Sequence, residues 1–152
     1  MALGLQTIRT AVETRLSTGI TGRQVTVLPN PPLDIDGTYP CICVVPGSDQ
    51  GPYISYFETF SNNGKALVRF TLRLYVSAAD QVSAQIAMDA FLSYGSGFTS
   101  SILGAFLGDR TLGGAVDDCI ILTASAPQPV NEQGQVWVAD LPLDVYATKV
   151  AA

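Results

Sequence analysis

The residues that could do chemistry are few and awkwardly spaced. Asp34 and Asp36 flank Ile35 in "PNPPLDIDGTYP", Asp117 and Asp118 are adjacent, Cys41 and Cys43 lie two apart, and Cys119 follows the second acidic pair. Between Gly108 and Asp118 runs "GDRTLGGAVDD", a glycine-rich stretch with acids at both ends. Three chemistries come into question: a cation between carboxylates, a thiolate nucleophile, and a phosphate cradled by glycines. A calcium loop needs several oxygen ligands at regular spacing, and "DIDGTYP" stops after two, so Asp34 and Asp36 read as solvated turn formers. Two carboxylates could also serve glycoside hydrolysis, yet nothing selects a pair from the thirteen acids. A phosphate loop follows a strand, opens a helix and carries a lysine that reaches the phosphates. Here the order is helix, glycines, strand, and Asp117 and Asp118 would repel phosphate. The stretch reads as a joint, with its glycines where helix caps and reverse turns want positive φ.

The chain has no histidine, which removes the usual general base of nucleophile systems and the commonest transition-metal ligand. Its two lysines, Lys65 and Lys149, sit at strand ends. Cys41 would need a cationic neighbour to become a thiolate, and the sequence places none beside it. Cysteines at i and i+2 of a strand share a face but sit too far apart for an unstrained bridge. An odd count without regular spacing is no disulfide framework. All three cysteines therefore read as buried, reduced thiols of a protein made in the cytosol. Catalytic, cofactor and metal residues are accordingly expected to be none, and the chain reads as no enzyme.

Composition points toward assembly. Hydrophobic residues make up 47% of the 152 and charged residues only 14%, against roughly 25% charged in soluble domains. Part of the exterior must be apolar or neutral-polar, and such surface is commonly covered by partners. The alternative is an exterior rich in Ser, Thr and Gln. Net charge is −5, and the eight basic residues are scattered, so no window offers the cluster that tight nucleic-acid or anionic-membrane binding needs. The start, "MALGLQTIRTAVETRL", carries an acid and two arginines within its apolar pattern and is not read as a signal peptide. No run is long enough to cross a membrane.

Hydrophobic spacing gives the elements that must hold these residues. Leu5, Ile8, Val12 and Leu16 recur every three or four, predicting an amphipathic helix over 3–17. Val25 to Leu28 can start a strand, and "CICVV" reads as a short buried one. "YISYFETF" and "KALVRFTLRLYV" flank "SNNG" and predict a hairpin. A two-residue Asn63-Gly64 loop would set Phe57 against Phe70 and Glu58 against Arg69. "AADQVSAQIAMDAFLSYG" predicts a helix N-capped by Asp80, with Val82, Ile86 and Ala90 in one row, Met88 and Phe91 beside it, and a stop at Gly95 or Gly97. A shorter helix follows in "TSSILGAFLGD", capped by Thr99 or Ser100. "DCIILTASA" and "QVWVADLPLDVYATKV" predict strands, and Pro142 points to an edge or a bulge. The expectation is one α+β domain over 1–152, with a mixed, mostly antiparallel sheet packed on amphipathic helices in the order helix, strands, helices, strands.

Read together, "MDAFLSYGSG", "SSILGAFLGD", "TLGGAVDDCIILTAS" and "VWVADLPLDVYAT" make the second half resemble the tail terminator proteins of long-tailed phages, particularly those of actinobacterial hosts. The first half fits the same pattern, with its N-terminal helix, proline-rich connection, apolar strand and long hairpin. The resemblance implies a structural protein of the virion, assembled in the host cytoplasm, with a sheet-plus-helix fold and no catalytic residues. It implies a homohexameric ring at the head-proximal end of the tail tube that stops tube growth and presents a surface for head attachment. The implied partners are further copies of the chain, the major tail tube protein and the head–tail connector or stopper protein. DNA would pass through the channel without specific binding, and no membrane is involved. A neck or head-completion ring protein is the alternative; a small acid-based hydrolase and a cellular secretion-tube component stay open beside it.

A closed ring needs one patch to meet a different patch on its neighbour. The hairpin from about residue 53 to 76 is the expected contact, through Tyr56, Phe60, Leu67, Arg69 and Arg73, because aromatics and arginines are common interface anchors. The competing expectation packs Tyr56 and Phe60 under a loop of the same subunit.

Overall fold

Two thirteen-residue strands form the spine of the molecule, and their sequences explain why. In "KALVRFTLRLYVS" and "VWVADLPLDVYAT" every second residue is apolar, so an extended chain presents one continuous dry face. The computed structural model describes residues 3–22, 25–28, 40–57, 65–78, 80–93, 101–130, 136–148 and 150–151. The elements run β1 (Leu3–Gly4), α1 (Leu5–Gly19), β2 (Thr26–Leu28), β3 (Cys41–Pro46), β4 (Ile54–Phe57), β5 (Lys65–Ser77), α2 (Gln81–Leu92), α3 (Ile102–Gly108), β6 (Asp118–Ile121), β7 (Gln128–Pro129), β8 (Val136–Thr148) and β9 (Val150–Ala151). This is the expected α+β order.

Strands β5 and β8 pair antiparallel along their whole length, from Lys65 opposite Thr148 to Ser77 opposite Val136. Each has its outer edge shared by two shorter strands. Along β5 these are β3 and β4, and along β8 they are β6 and β7, all antiparallel. β2 adds to β3 in parallel and completes a seven-stranded mixed sheet. Separately, β1 and β9 form a two-stranded parallel pair.

Both interruptions have a local cause. Arg69 of β5 accepts a hydrogen bond from the Gly47 N–H at 2.8 Å and donates its own N–H to the Tyr53 carbonyl at 2.7 Å, so one residue closes the loop between β3 and β4. On the other side, the Asp140 carbonyl accepts from the Ser125 N–H at 2.9 Å, so this backbone edge of β8 faces β6 and β7. Pro142, two residues on, faces the same way with no N–H to give. The neighbouring strand ends at Ile121 and resumes at Gln128. Pro142 thus sits inside a central strand, not an edge strand, at the break in its neighbour.

The helices cover one sheet face. Ile8, Val12 and Leu16 of α1, Ala84, Met88 and Phe91 of α2, and Ile102, Ala105 and Phe106 of α3 join Val68, Phe70, Leu72, Leu74, Ala139, Leu141, Leu143 and Val145 in one core. α1 and α3 approach so closely that a Cβ on Gly19 would stand 2.8 Å from the Cβ of Ala105. Only glycine fits there.

Several expectations change. α1 begins at Leu5 and runs to Gly19. In α2 the buried stripe is Ala84, Met88 and Phe91, while Val82 and Ile86 are each 67% exposed. The larger Met and Phe at the same helical spacing offer more apolar area to the core, and the helix turns them inward. The hairpin register also differs. Phe57 opposes Lys65, and Phe70 opposes Pro46 of β3. This is not the register that a two-residue Asn63-Gly64 loop would set, and Glu58, Asn63 and Gly64 lie outside the described residues. β5 is the centre of the sheet and not a projecting arm. α3 is capped by Ser101, whose hydroxyl accepts the Gly104 N–H at 3.0 Å; Thr99 and Ser100, like Gly95 and Gly97, lie outside the described residues.

Candidate assembly surfaces

The glycine-rich joint turns α3 into β6 through an ordered local structure. Asp109 follows α3, and its carboxylate accepts from the Gly113 N–H at 2.8 Å and the Thr111 hydroxyl at 3.1 Å. Leu112, Gly113 and Gly114 take φ of 53°, 73° and 90°, a left-handed run that explains the glycine pair. Leu112 adopts it because its side chain is buried in the core. Partial burial opposes the charge on Asp109, but these donors outweigh it and hold the carboxyl below its ordinary range. Arg110 forks Asp118 with two bonds of 2.7 Å, and the Thr148 hydroxyl donates to Asp117. Both acids of the pair are thus used within the fold. Between the joint and the threonine face of α1 lies an open cleft of about 540 Å3, bordered by Thr10, Thr14, Arg15 and Asp109.

The cysteines are all free and buried. Cys43 donates toward Cys41, which raises the first thiol's pKa and lowers the second's. The Cys119 thiol donates to the Arg110 carbonyl at 3.2 Å, and burial pushes its pKa up to about 12. Among the described residues no three His, Cys, Asp or Glu side chains gather into a metal-binding group. Asp34 and Asp36 lie outside them.

The sheet face opposite the helices is the polar one. Directly opposed across β5 and β8 stand Arg69 with Asp144 and Arg73 with Asp140. The second pair is close, with Arg73 Nε 3.0 Å from Asp140 Oδ1, and half-exposed. The first is looser at 4.0 Å and better shielded. Arg69 is engaged elsewhere as well, donating through Nη1 to the Pro52 carbonyl at 2.9 Å and to Ser55 Oγ at 3.0 Å. Beside the ladder Cys41, Cys43, Tyr75 and Val136 form a small second apolar cluster.

Of the five residues expected at a subunit contact, the four that are described do not share one face. Leu67, Arg69 and Arg73 share the polar face, with Leu67 buried and Arg69 holding its own subunit's loop. Tyr56 stands opposite Ala66, so it projects from the helix-covered face, and it is 61% exposed on β4, whose outer edge has no strand partner among the described residues. Phe60 lies outside the described residues. The sequence reading missed a second apolar surface, between α3 and β6. There Leu103, Phe106, Leu107, Cys119 and Ile121 border a groove of about 210 Å3 with Arg110 at its rim. The available signal was "SSILGAFLGD" itself, where Leu103 and Leu107 recur four apart, too many apolar residues for one buried stripe.

No protein-family profile and no curated protein matches this sequence. Among solved structures 19 chains match the fold. One, a chain of the virion of a native gene transfer agent particle, is similar to this chain over 93% of its length and 94% of its own, with a TM-score of 0.52 and 13% sequence identity. What the two chains share is the fold.

Proposed function

We propose that this chain is a structural virion protein of a long-tailed phage, and that it forms the homohexameric ring capping the head-proximal end of the tail tube. In that place it stops tube polymerisation and offers the connector a surface for head attachment. The observation that carries the reading is the fold similarity to a chain of a gene transfer agent virion over nearly the full length of both chains. The arginines support it. Arg9, Arg69, Arg73 and Arg110 each stand within 4.0 Å of a carboxylate in the same subunit, at Glu13, Asp144, Asp140 and Asp118. Cations neutralised in this way give a DNA duplex little to hold, which suits a ring through which DNA passes without specific binding.

Electron microscopy of particles assembled without this gene tests the proposal. Overlong tails lacking heads are the expected result, because tube growth would have lost its stop. Tails of normal length beside DNA-filled or leaking heads would move the protein to the neck. Intact virions would overturn both.

A further inference from the structure

We infer that Tyr56 of one copy seats in the groove between α3 and β6 of the next copy, so that the two free edges of the lower half of the sheet meet around the ring. The inference rests on the ring proposed above and names its contact. In this half the described strands run β4, β5, β8, β6, leaving the outer edges of β4 and β6 without a strand partner among the described residues.

The two edges match in face and chemistry, and Tyr56, in the row of Ala66 and Ala147, stands two residues along from the row of Cys119. Ile54 opposes Val68, Val68 opposes Val145, and Val145 opposes Cys119, so one cross-strand row runs from the β4 edge to the β6 edge. Residues opposed across a sheet share a face, which puts Tyr56, two positions from Ile54, on the same side as Cys119 and Ile121. That is the side on which α3 sits and the groove opens. A neighbour placed by simple rotation, with its helices on the same side, thus brings an exposed aromatic to an apolar slot. The slot is lined by Leu103, Phe106, Leu107 and Ile121, and Leu107 is 45% exposed. β4 reads "ISYF" with no charge, and on the receiving side Arg110 and Asp118 pair at 2.7 Å while Asp117 accepts from the Thr148 hydroxyl. A phenol matches such a site, with its ring in the groove and its hydroxyl at the polar rim.

Side chains and not a main-chain ladder carry the recognition. The outward N–H of Cys119 already donates to Asp118 Oδ1 at 2.9 Å, which closes part of the β6 edge as a template for strand addition. Patch and counter-patch differ, and a contact of this kind closes into a ring when repeated by rotation.

The test uses Tyr56→Lys, which removes the knob and keeps the groove, and Leu107→Lys, which does the reverse. Native mass spectrometry follows assembly, and thermal unfolding checks that each variant folds. Each alone should assemble at least about tenfold more weakly than wild type, as loss of a central anchor does, and Tyr56→Phe should still form rings. Mixed together, the two lysine variants retain one intact contact and should give one-to-one dimers that do not grow. Oxidation of a Tyr56→Cys/Leu107→Cys double variant should give a ladder of linked subunits rising past the dimer. Wild-type rings with both lysine variants also forming rings, or with no ladder, would overturn this contact alone. Wild-type protein that forms no oligomer would overturn the ring and the contact together.

Discussion

The two faces of strand β5 have opposite chemistry on one backbone. Val68, Phe70, Leu72, Leu74 and Val76 lie under the helices and are buried, while Arg69 and Arg73 alternate with them on the other face and answer aspartates on β8. The helix-covered face has no preferred pairing beyond shape, since apolar contact is non-directional. The polar face fixes the register. Sliding β8 by two residues keeps the dry face dry but would set Arg69 against Pro142 or Tyr146, with no carboxylate opposite. Stability and register are thus assigned to different faces, and substitutions on them should differ in kind as well as in size.

The largest loss belongs to the covered face. Leu72 is fully buried between α-helices and sheet, and Leu72→Ala should cost about 2–5 kcal/mol, the transfer term plus the cavity. Denaturant unfolding measures it through the midpoint at unchanged slope. A loss under 1 kcal/mol would mean that the core closes around the gap, and the contrast between the faces would weaken.

Cys119 makes the same contrast visible through pH. It lies in the main core, and burial raises its pKa from 9.0 to about 12. Below pH 9 both folded and unfolded chains keep the proton and the full contribution is present. Above it the unfolded chain releases the proton first, so stability falls until the folded thiol also titrates near 12. The slope from this group is at most about 1.4 kcal/mol per pH unit. Cys119→Ala should flatten the wild-type decline between these values, measured as the difference between the two unfolding free energies.

The joint should give an intermediate effect. Gly114 sits at φ 90° with open space where a Cβ would point, so Gly114→Ala meets backbone strain and no clash. About 1–2 kcal/mol is expected, again from denaturant unfolding. A smaller loss would mean that the turn relaxes into another form while Leu112 stays buried.

Much of this architecture was legible in the sequence, and the failures have a common physical origin. The long strands declared themselves because their alternation runs over six apolar residues, and Asp80 was legible as a cap, accepting the Ser83 N–H at 2.8 Å. What periodicity cannot supply is which of two adequate surfaces finds a partner. α2 carries two apolar stripes, and the sheet selected the one with Met88 and Phe91. β5 has two edges, and only tertiary pairing revealed that β3 takes half of the edge expected for β4. The proposed subunit contact divides the same way. Tyr56 was visible as an aromatic of the expected hairpin, whereas the groove proposed to receive it is formed by residues from 103 to 121 brought together by the joint.

The smallest effect belongs to the half-exposed ladder pair. Arg73 and Asp140 meet at 3.0 Å, and although partial burial opposes the guanidinium charge, the carboxylate raises the Arg73 pKa beyond its already high ordinary value. Water and salt still reach both partners, so a double-mutant cycle with Arg73→Ala and Asp140→Ala should yield a coupling of only about 0.5 kcal/mol, shrinking as salt rises. A coupling of that size cannot hold the sheet together, yet it penalises the slipped register twice, by losing the pair and by leaving each charge against the wrong neighbour. If the cycle gives zero at low salt, register must be fixed by the Pro142 break and by the Arg69 contacts with the β3–β4 loop instead. A coupling above about 2 kcal/mol would mean that the pair is shielded from water by something beyond the isolated chain, and on this face that points to a neighbouring subunit.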